Sequence, residues 1–181
     1  MAQGATIYVF NIELANSDRG VYLPLQLRVA RHPSESEDYF LTRILAYCLE
    51  YTEGISFSNG LFEPDEPCIA VRDLTGALRA WIEVGSPDGA RLHRAGKSAP
   101  RVAVYTHKDA AQLAGRLSRE RIHRVAALEL YALDRAWLAA LVPKLTRRME
   151  FSLTIAEQHV YLSLGEETFA CVIERIAVTT A

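Results

Sequence analysis

Apolar and polar residues alternate strictly near the start of the chain. Over 6–14, TIYVFNIEL, side chains take turns between two faces, which is the period of a strand. Residues 21–31, VYLPLQLRVAR, alternate again. Between them Asn16-Ser17-Asp18-Arg19-Gly20 has turn composition. The two segments predict a long antiparallel hairpin, and Pro24, which has no N–H to give a ladder, places one strand at an edge. At Pro33 the period changes. Ser34 followed by Glu37 fits a capping box, and Asp38 adds negative charge where the helix dipole favours it. Phe40, Ile44, Tyr47 with Cys48, and Tyr51 fall at helical spacing. The pattern predicts a helix from 37 to about 53, ended by Gly54.

Strand signals return at 55–57, 69–72 and 78–84, with Asn59-Gly60 and DLTG (73–76) as turns and the rigid FEPDEPC segment between. On 78–84, Leu78, Ala80, Ile82 and Val84 share one face, and Arg79, Trp81 and Glu83 share the other. Trp81 is expected to pack on the first helix. Gly85-Ser86-Pro87-Asp88 opens a helix to about 97. RVAVYT (101–106) reads as a strand buried on both faces. A helix over 109–117, a strand over 125–132 and a helix over 134–145 capped by Asp134 come next. Strands at 149–155, 160–164 and 169–178 close the chain. Alternating helices and strands in the middle call for a sheet covered on both faces. The expectation is one α/β domain of α+β class over 1–181, with a core at 33–145 and accessory antiparallel strands from 5–31 and 149–178.

Composition adds bounds. With 181 residues, half of them hydrophobic and 23% charged, the chain can bury a sizeable core. No apolar run approaches the ~20 residues that span a bilayer. The opening MAQGATIYVF has no basic stretch before its apolar residues, so no signal peptide and a cytoplasmic location are expected. Cys48, Cys68 and Cys171 lie far apart among apolar neighbours and read as small buried hydrophobes, without structural zinc. The charge is polarised. Residues 33–83 hold ten acidic and three basic side chains, and 86–148 hold thirteen basic and five acidic. A basic half beside an acidic one suits a phosphate-bearing polymer; solvated helix faces explain it equally.

The chemistry lies in the acidic half. Asp65, in Pro64-Asp65, and Glu83 flank a predicted hairpin that brings them to one end of a sheet. Paired carboxylates there would suit a hard cation such as Mg²⁺, which lowers the pKa of bound water and stabilises charge on phosphate. Glu35 or Glu37 could add a third carboxylate. Each residue also has an ordinary role: Asp65 in a turn, Glu37 in the cap, and Glu83 paired with Arg91 or Arg94. His32 either donates to a phosphate or braces its turn. His93, His107, His123 and His159 read as surface or loop residues. Tyr105 and Thr106 end a buried strand near the proposed site edge. Arg116, Arg119, Arg121 and Arg124 form a basic run that could track a nucleic-acid backbone or be a solvated loop. No phosphate-binding glycine motif is present, so no nucleotide cofactor is expected, nor a membrane partner.

The strings ATIY (5–8), ARHPSE (30–35), DEP (65–67), DLTG (73–76), WIEVGSPD (81–88) and VAVYT (102–106), in this order, resemble the YaeQ family across nearly the whole chain. The resemblance implies a variant of the PD-(D/E)XK restriction-endonuclease-like fold, in which an Asp and a Glu bind metal and a lysine two residues after the Glu contacts the scissile phosphate or the attacking water. Pro64-Asp65 and Glu83 match the first two positions, and Gly85 stands where the lysine would. Arg91, Arg94 and Lys97 on the next helix are the replacements the sequence offers, and arginine cannot serve as a base at pH 7. Two functions follow. One is a Mg²⁺-dependent nuclease-like phosphodiesterase using Glu35, Asp65, Glu83, Arg91 and Arg94, with Asp65 and Glu83 on the metal. The other is a non-catalytic module that binds nucleic acid through Arg91, Arg94, Lys97, Arg119, Arg121 and Arg124, or binds a protein.

Overall fold

A computed structural model describes residues 4–59 and 63–179. Among the described residues, eleven strands and four helices form two units, the first of 4–41 with 133–173 and the second of 42–132 with 174–179.

The first unit is built on the hairpin. Strands β1 (Thr6–Asn16) and β2 (Val21–Arg31) pair antiparallel from Thr6↔Arg31 to Asn16↔Val21. Gly20, at φ 66, takes the left-handed turn that a residue without a Cβ adopts freely. The C-terminal strands β8 (Arg148–Ala156), β9 (His159–Leu164) and β10 (Glu167–Val172) extend the sheet in the order β10-β9-β8-β1-β2. The expected hairpin and C-terminal strands therefore share a sheet, with one difference: β1 and β8 run parallel, so the sheet is mixed. Alternation decides what is inside. Phe10, Ile12 and Leu14 of β1 are buried with Phe151 and Leu153 of β8, while Asn11 and Glu13 face solvent. Pro24 lies on β2, an edge strand, as its missing N–H requires.

Four helices flank the sheets: α1 (Glu37–Leu49), α2 (Gly89–Ser98), α3 (Ala110–Leu117) and α4 (Arg135–Leu141). Asp88, Asp109 and Asp134 cap the last three, accepting from the backbone N–H of Arg91, Gln112 and Trp137. The boundary between the units falls inside α1. That helix is capped by Ser36, whose Oγ accepts from Tyr39 N at 3.2 Å, so the Ser34–Glu37 box does not form.

The second unit carries the sheet β11-β7-β6-β5-β4-β3, from β3 (Ile55–Phe57), β4 (Ile69–Arg72), β5 (Leu78–Val84), β6 (Arg101–Thr106), β7 (Glu129–Ala132) and β11 (Glu174–Ile176). Strands β5, β6 and β7 are parallel, and the outer ones are antiparallel. The crossovers α2 and α3 lie on one face of the sheet, where Leu92, Ala95, Leu113 and Leu117 pack with Trp81, Val102, Val104 and Leu130. Trp81 therefore packs under α2 and α3, not on the first helix. The expected strand at 169–178 is divided: β10 joins the first sheet, and β11, past Ile173, joins the second beside β7. Among the described residues no helix is long and apolar enough to cross a membrane.

Candidate functional site

Glu83 sits on the α2–α3 face of β5 and is 2% exposed. A bare carboxylate there would cost several kcal/mol, so its partners define the site. Trp81, two residues earlier on the same face, donates Nε1–H to Glu83 Oε1 at 2.5 Å. Arg91 Nη2 stands 2.9 Å from that oxygen. Cys68 Sγ donates to Oε2 at 3.3 Å. Arg91 reaches the strand from the first turn of α2, and its guanidinium also donates to the carbonyls of Glu63 at 2.8 Å and Glu66 at 2.6 Å. One side chain thus ties α2, β5 and the loop before β4. Its charged carbon lies 5.8 Å from the centre of the Trp81 ring, within cation–π range.

The other expected residues are less constrained. Asp65, on the loop that Arg91 holds, has a side chain 90% exposed, and its Oδ1 lies 4.0 Å from Arg94 Nε. Gly85 follows β5 at φ 87, with its N–H donating to Tyr105 O at 2.9 Å. A side chain there would be strained, so a lysine at this position is disfavoured by the backbone itself. Glu35, in the first unit, is buried and closes its own turn: it accepts from His32 N at 2.8 Å, and its carbonyl accepts from Arg31 at 2.9 and 3.2 Å. His32 braces the same turn, its Nδ1 accepting from Ser34 N at 3.1 Å. Glu37 lies 3.6 Å from Arg31.

Arg94, Lys97, Arg119, Arg121 and Arg124 of the second unit point outward. Buried α2 positions are Gly89, Leu92, Ala95 and Gly96, which leaves Arg94 and Lys97 on the exposed side. Arg119, Arg121 and Arg124 follow α3 and are exposed. Lys97 and these three arginines have no ion-pair partner among the described residues. Arg116 is engaged with Glu120 at 3.0 Å.

A cluster missing from the sequence reading lies on the opposite face. Arg101 donates to both oxygens of buried Glu50, at 2.7 and 2.9 Å, and to Glu129 at 2.7 and 3.1 Å. Tyr105 donates to Glu50 at 2.6 Å, Tyr131 donates to Glu129 at 2.8 Å, and the two rings stack 4.9 Å apart. Burial pushes the Tyr105 phenol well above its ordinary range, and neighbouring Glu50 adds to the rise. Burial alone would raise Glu129, but hydrogen bonds from Arg101 and Tyr131 reverse the sign and hold it below the usual carboxylate value. These partners are 28 and 51 residues from Arg101 in sequence: the pairing of β6 with β7 brings up Glu129, and the end of α1 brings up Glu50. Among the described residues no group of three or more His, Cys, Asp or Glu is placed to hold a metal ion.

These features define a mixed α+β protein with two mixed sheets and a tryptophan–glutamate–arginine centre at the second. The YaeQ protein family profile matches residues 1–173, and the chain belongs to that family. It is 34% identical over 164 residues to YaeQ of Escherichia coli K12, covering 90% of this chain and 91% of the relative. The Salmonella typhi YaeQ matches to the same extent. The crystal structure of YaeQ protein from Pseudomonas syringae superposes with TM-score 0.85 at 27% identity over 96% of both chains. That of Xanthomonas axonopodis pv. citri gives TM-score 0.77 at 26% identity, over 98% of this chain and 99% of its own.

Proposed function

We propose that the second unit binds a phosphate-bearing polymer, nucleic acid, through the outward side of its α2–α3 layer, on a nuclease-like scaffold whose acidic centre is held closed by arginine. The observation that carries this reading is the contrast between two sets of charges. Glu83 is neutralised by Arg91 and hydrogen-bonded by Trp81 and Cys68, whereas Lys97, Arg119, Arg121 and Arg124 stand exposed with no ion-pair partner among the described residues. Unpaired cations on one face release counterions when they meet phosphates, which drives sequence-independent binding.

Magnesium-dependent phosphodiester hydrolysis is the competing reading. As they stand, the donors do not fit a divalent cation. Both oxygens of Glu83 are engaged, Asp65 is an exposed side chain near Arg94, and Gly85 supplies no lysine. A metal would have to displace Arg91, so no hydrolytic step is assigned to these residues.

The test is fluorescence anisotropy with labelled single- and double-stranded oligonucleotides between 50 and 300 mM NaCl. Four phosphate contacts predict a log–log salt slope of about −3 to −4, and Lys97→Glu with Arg121→Glu should reduce its size by about two. Binding that ignores both salt and charge reversal would sink the proposal. Calorimetry with Mg²⁺ and Mn²⁺ addresses the competitor: saturable binding lost in Asp65→Asn would establish it.

A further inference from the structure

Loops that leave the carboxyl ends of parallel strands β5 and β6 border an open groove of about 690 Å³. Open sheets of this kind take ligands at that edge, and the volume suits a nucleotide-sized molecule. Ser86 comes from the first loop and Lys108 from the second, while Gln112, Arg116 and Arg119 line the groove from α3 and just beyond it. Its two carboxylates are both committed. Asp109 caps α3, accepting from Gln112 N at 2.9 Å. Glu120 is held at two points: Oε2 accepts from Gly89 N at 2.7 Å, and Oε1 faces Arg116 Nη1 at 3.0 Å.

The seat of Glu120 has the form of an oxyanion site. A backbone N–H and a guanidinium converge on one anionic group, and two further cations stand close by. Arg116 is fixed in place because its Nη2 donates to Ser86 Oγ at 3.1 Å and to Pro87 O at 2.8 Å. A Cβ on residue 89 would fall 2.0 Å from Glu120 Oε2, so glycine is what lets an anion approach that N–H. Lys108 and Arg119 are exposed in the groove with no ion-pair partner among the described residues. The Glu120 side chain is 33% exposed, so the groove leaves part of it open to solvent.

We propose that this groove is a phosphate-monoester site for a ligand of nucleotide size, and that Glu120 occupies the phosphate position until the ligand displaces it. A phosphate monoester carries about two negative charges and three acceptor oxygens, against one charge and two oxygens on a carboxylate. It can take the Gly89 N–H and Arg116 together and still reach Lys108 or Arg119. The inference shares Arg119 with the polymer reading but does not rest on it, since Arg116, Lys108 and the Gly89 N–H belong to the groove alone. The phosphate can come from a free mononucleotide or from the 5′ end of a strand.

The test is calorimetry at fixed salt with inorganic phosphate, AMP, and oligonucleotides with and without a 5′-phosphate. Glu120→Gln should bind AMP at least tenfold tighter than the wild type, and adding Arg116→Gln should abolish the gain. Equal affinity in Glu120→Gln and wild type, no AMP binding by either, or a gain that survives Arg116→Gln would overturn the site. Should Glu120→Gln fail to fold, Arg119→Glu decides: a fivefold or greater loss of AMP affinity supports the site, and unchanged affinity overturns it. A strand preferred only when 5′-phosphorylated, beyond AMP itself, assigns the strand end as the source; parity with AMP assigns the free nucleotide.

Discussion

Arg91→Met is the most informative perturbation of the acidic centre. It keeps an unbranched stem and removes the guanidinium, and with it the contacts to Glu83, Glu63 O and Glu66 O. Removing one partner of a buried ion pair costs about 3–5 kcal/mol, because the other charge is left uncompensated. Arg91 is 16% exposed, so water can reach part of the pair, and about 3 kcal/mol is the expected loss. The opposite change, Glu83→Gln, should cost less, about 1–2 kcal/mol: Arg91 keeps two carbonyls, and Trp81 can still donate to the amide oxygen. The double variant has no stranded charge. It should fall short of the sum of the single losses by about 1.5–3 kcal/mol. Urea denaturation at pH 7 of all four proteins reads these numbers directly. Strict additivity, or an Arg91→Met loss below about 0.5 kcal/mol, would refute a buried clamp. Repeating the series in Mg²⁺ adds a second check. A cation bound at a hundred times its Kd stabilises by about 2.7 kcal/mol. No shift is expected in the wild type, and a shift of that size there would mean that metal, not Arg91, is the partner of Glu83.

Other outcomes follow from the same geometry. Asp65→Asn, at an exposed side chain 4.0 Å from Arg94, should change stability by less than about 0.5 kcal/mol in the same urea assay. Arg101→Met strips both Glu50 and Glu129 and should be the more damaging arginine deletion, at about 4 kcal/mol, read as a fall in the urea midpoint. Stability should also fall at both ends of the pH range. Glu129 is held below its unfolded value, so its contribution is complete above that value and is lost as pH falls through the lower folded one. Tyr105 and Tyr131 are raised, so theirs is complete below about pH 10, the unfolded phenol value, and lost as pH climbs beyond it. Thermal melts from pH 3 to 11 would show both limbs, and Tyr105→Phe should flatten the alkaline one. Burial pushes the Cys48 thiol up to about 12, so its reaction with a disulfide reagent at pH 8 should track global unfolding.

What the sequence made legible was local. Asp88 and Asp134 could be placed at helix starts because a short acceptor ahead of an apolar periodic run has one good use there. The hairpin followed from alternation and a single turn cluster. Where two local answers competed, the pattern was insufficient. Ser34 reads as the cap of the first helix, but Ser36 holds that place and Ser34 bonds His32 instead. Non-local pairing was not legible at all. The parallel contact of β1 with β8 and the transfer of β11 to the second sheet depend on which edges are open once other strands have paired. RVAVYT reads as an apolar strand with polar ends. Its Arg101 and Tyr105 fall two turns of the pleat apart on one face, and there they meet a glutamate from the end of α1 and another from β7. No spacing rule connects those positions.

The candidate centre illustrates the same division. The sequence supplied Glu83 and, as an ordinary alternative, its pairing with Arg91; it could not say which role prevailed. Two backbone facts tilt the balance. Gly85 at φ 87 disfavours any side chain two residues beyond Glu83, and Asp88, by capping α2, fixes the turn from which Arg91 reaches back to β5. A lysine at 85 would therefore place a Cβ in the left-handed region, at about 1–2 kcal/mol. A guanidinium in that place stays charged and cannot take a proton from water at neutral pH. Arg91 thus neutralises Glu83 and offers no proton acceptor, a combination that fits a closed, structural centre better than a hydrolytic one.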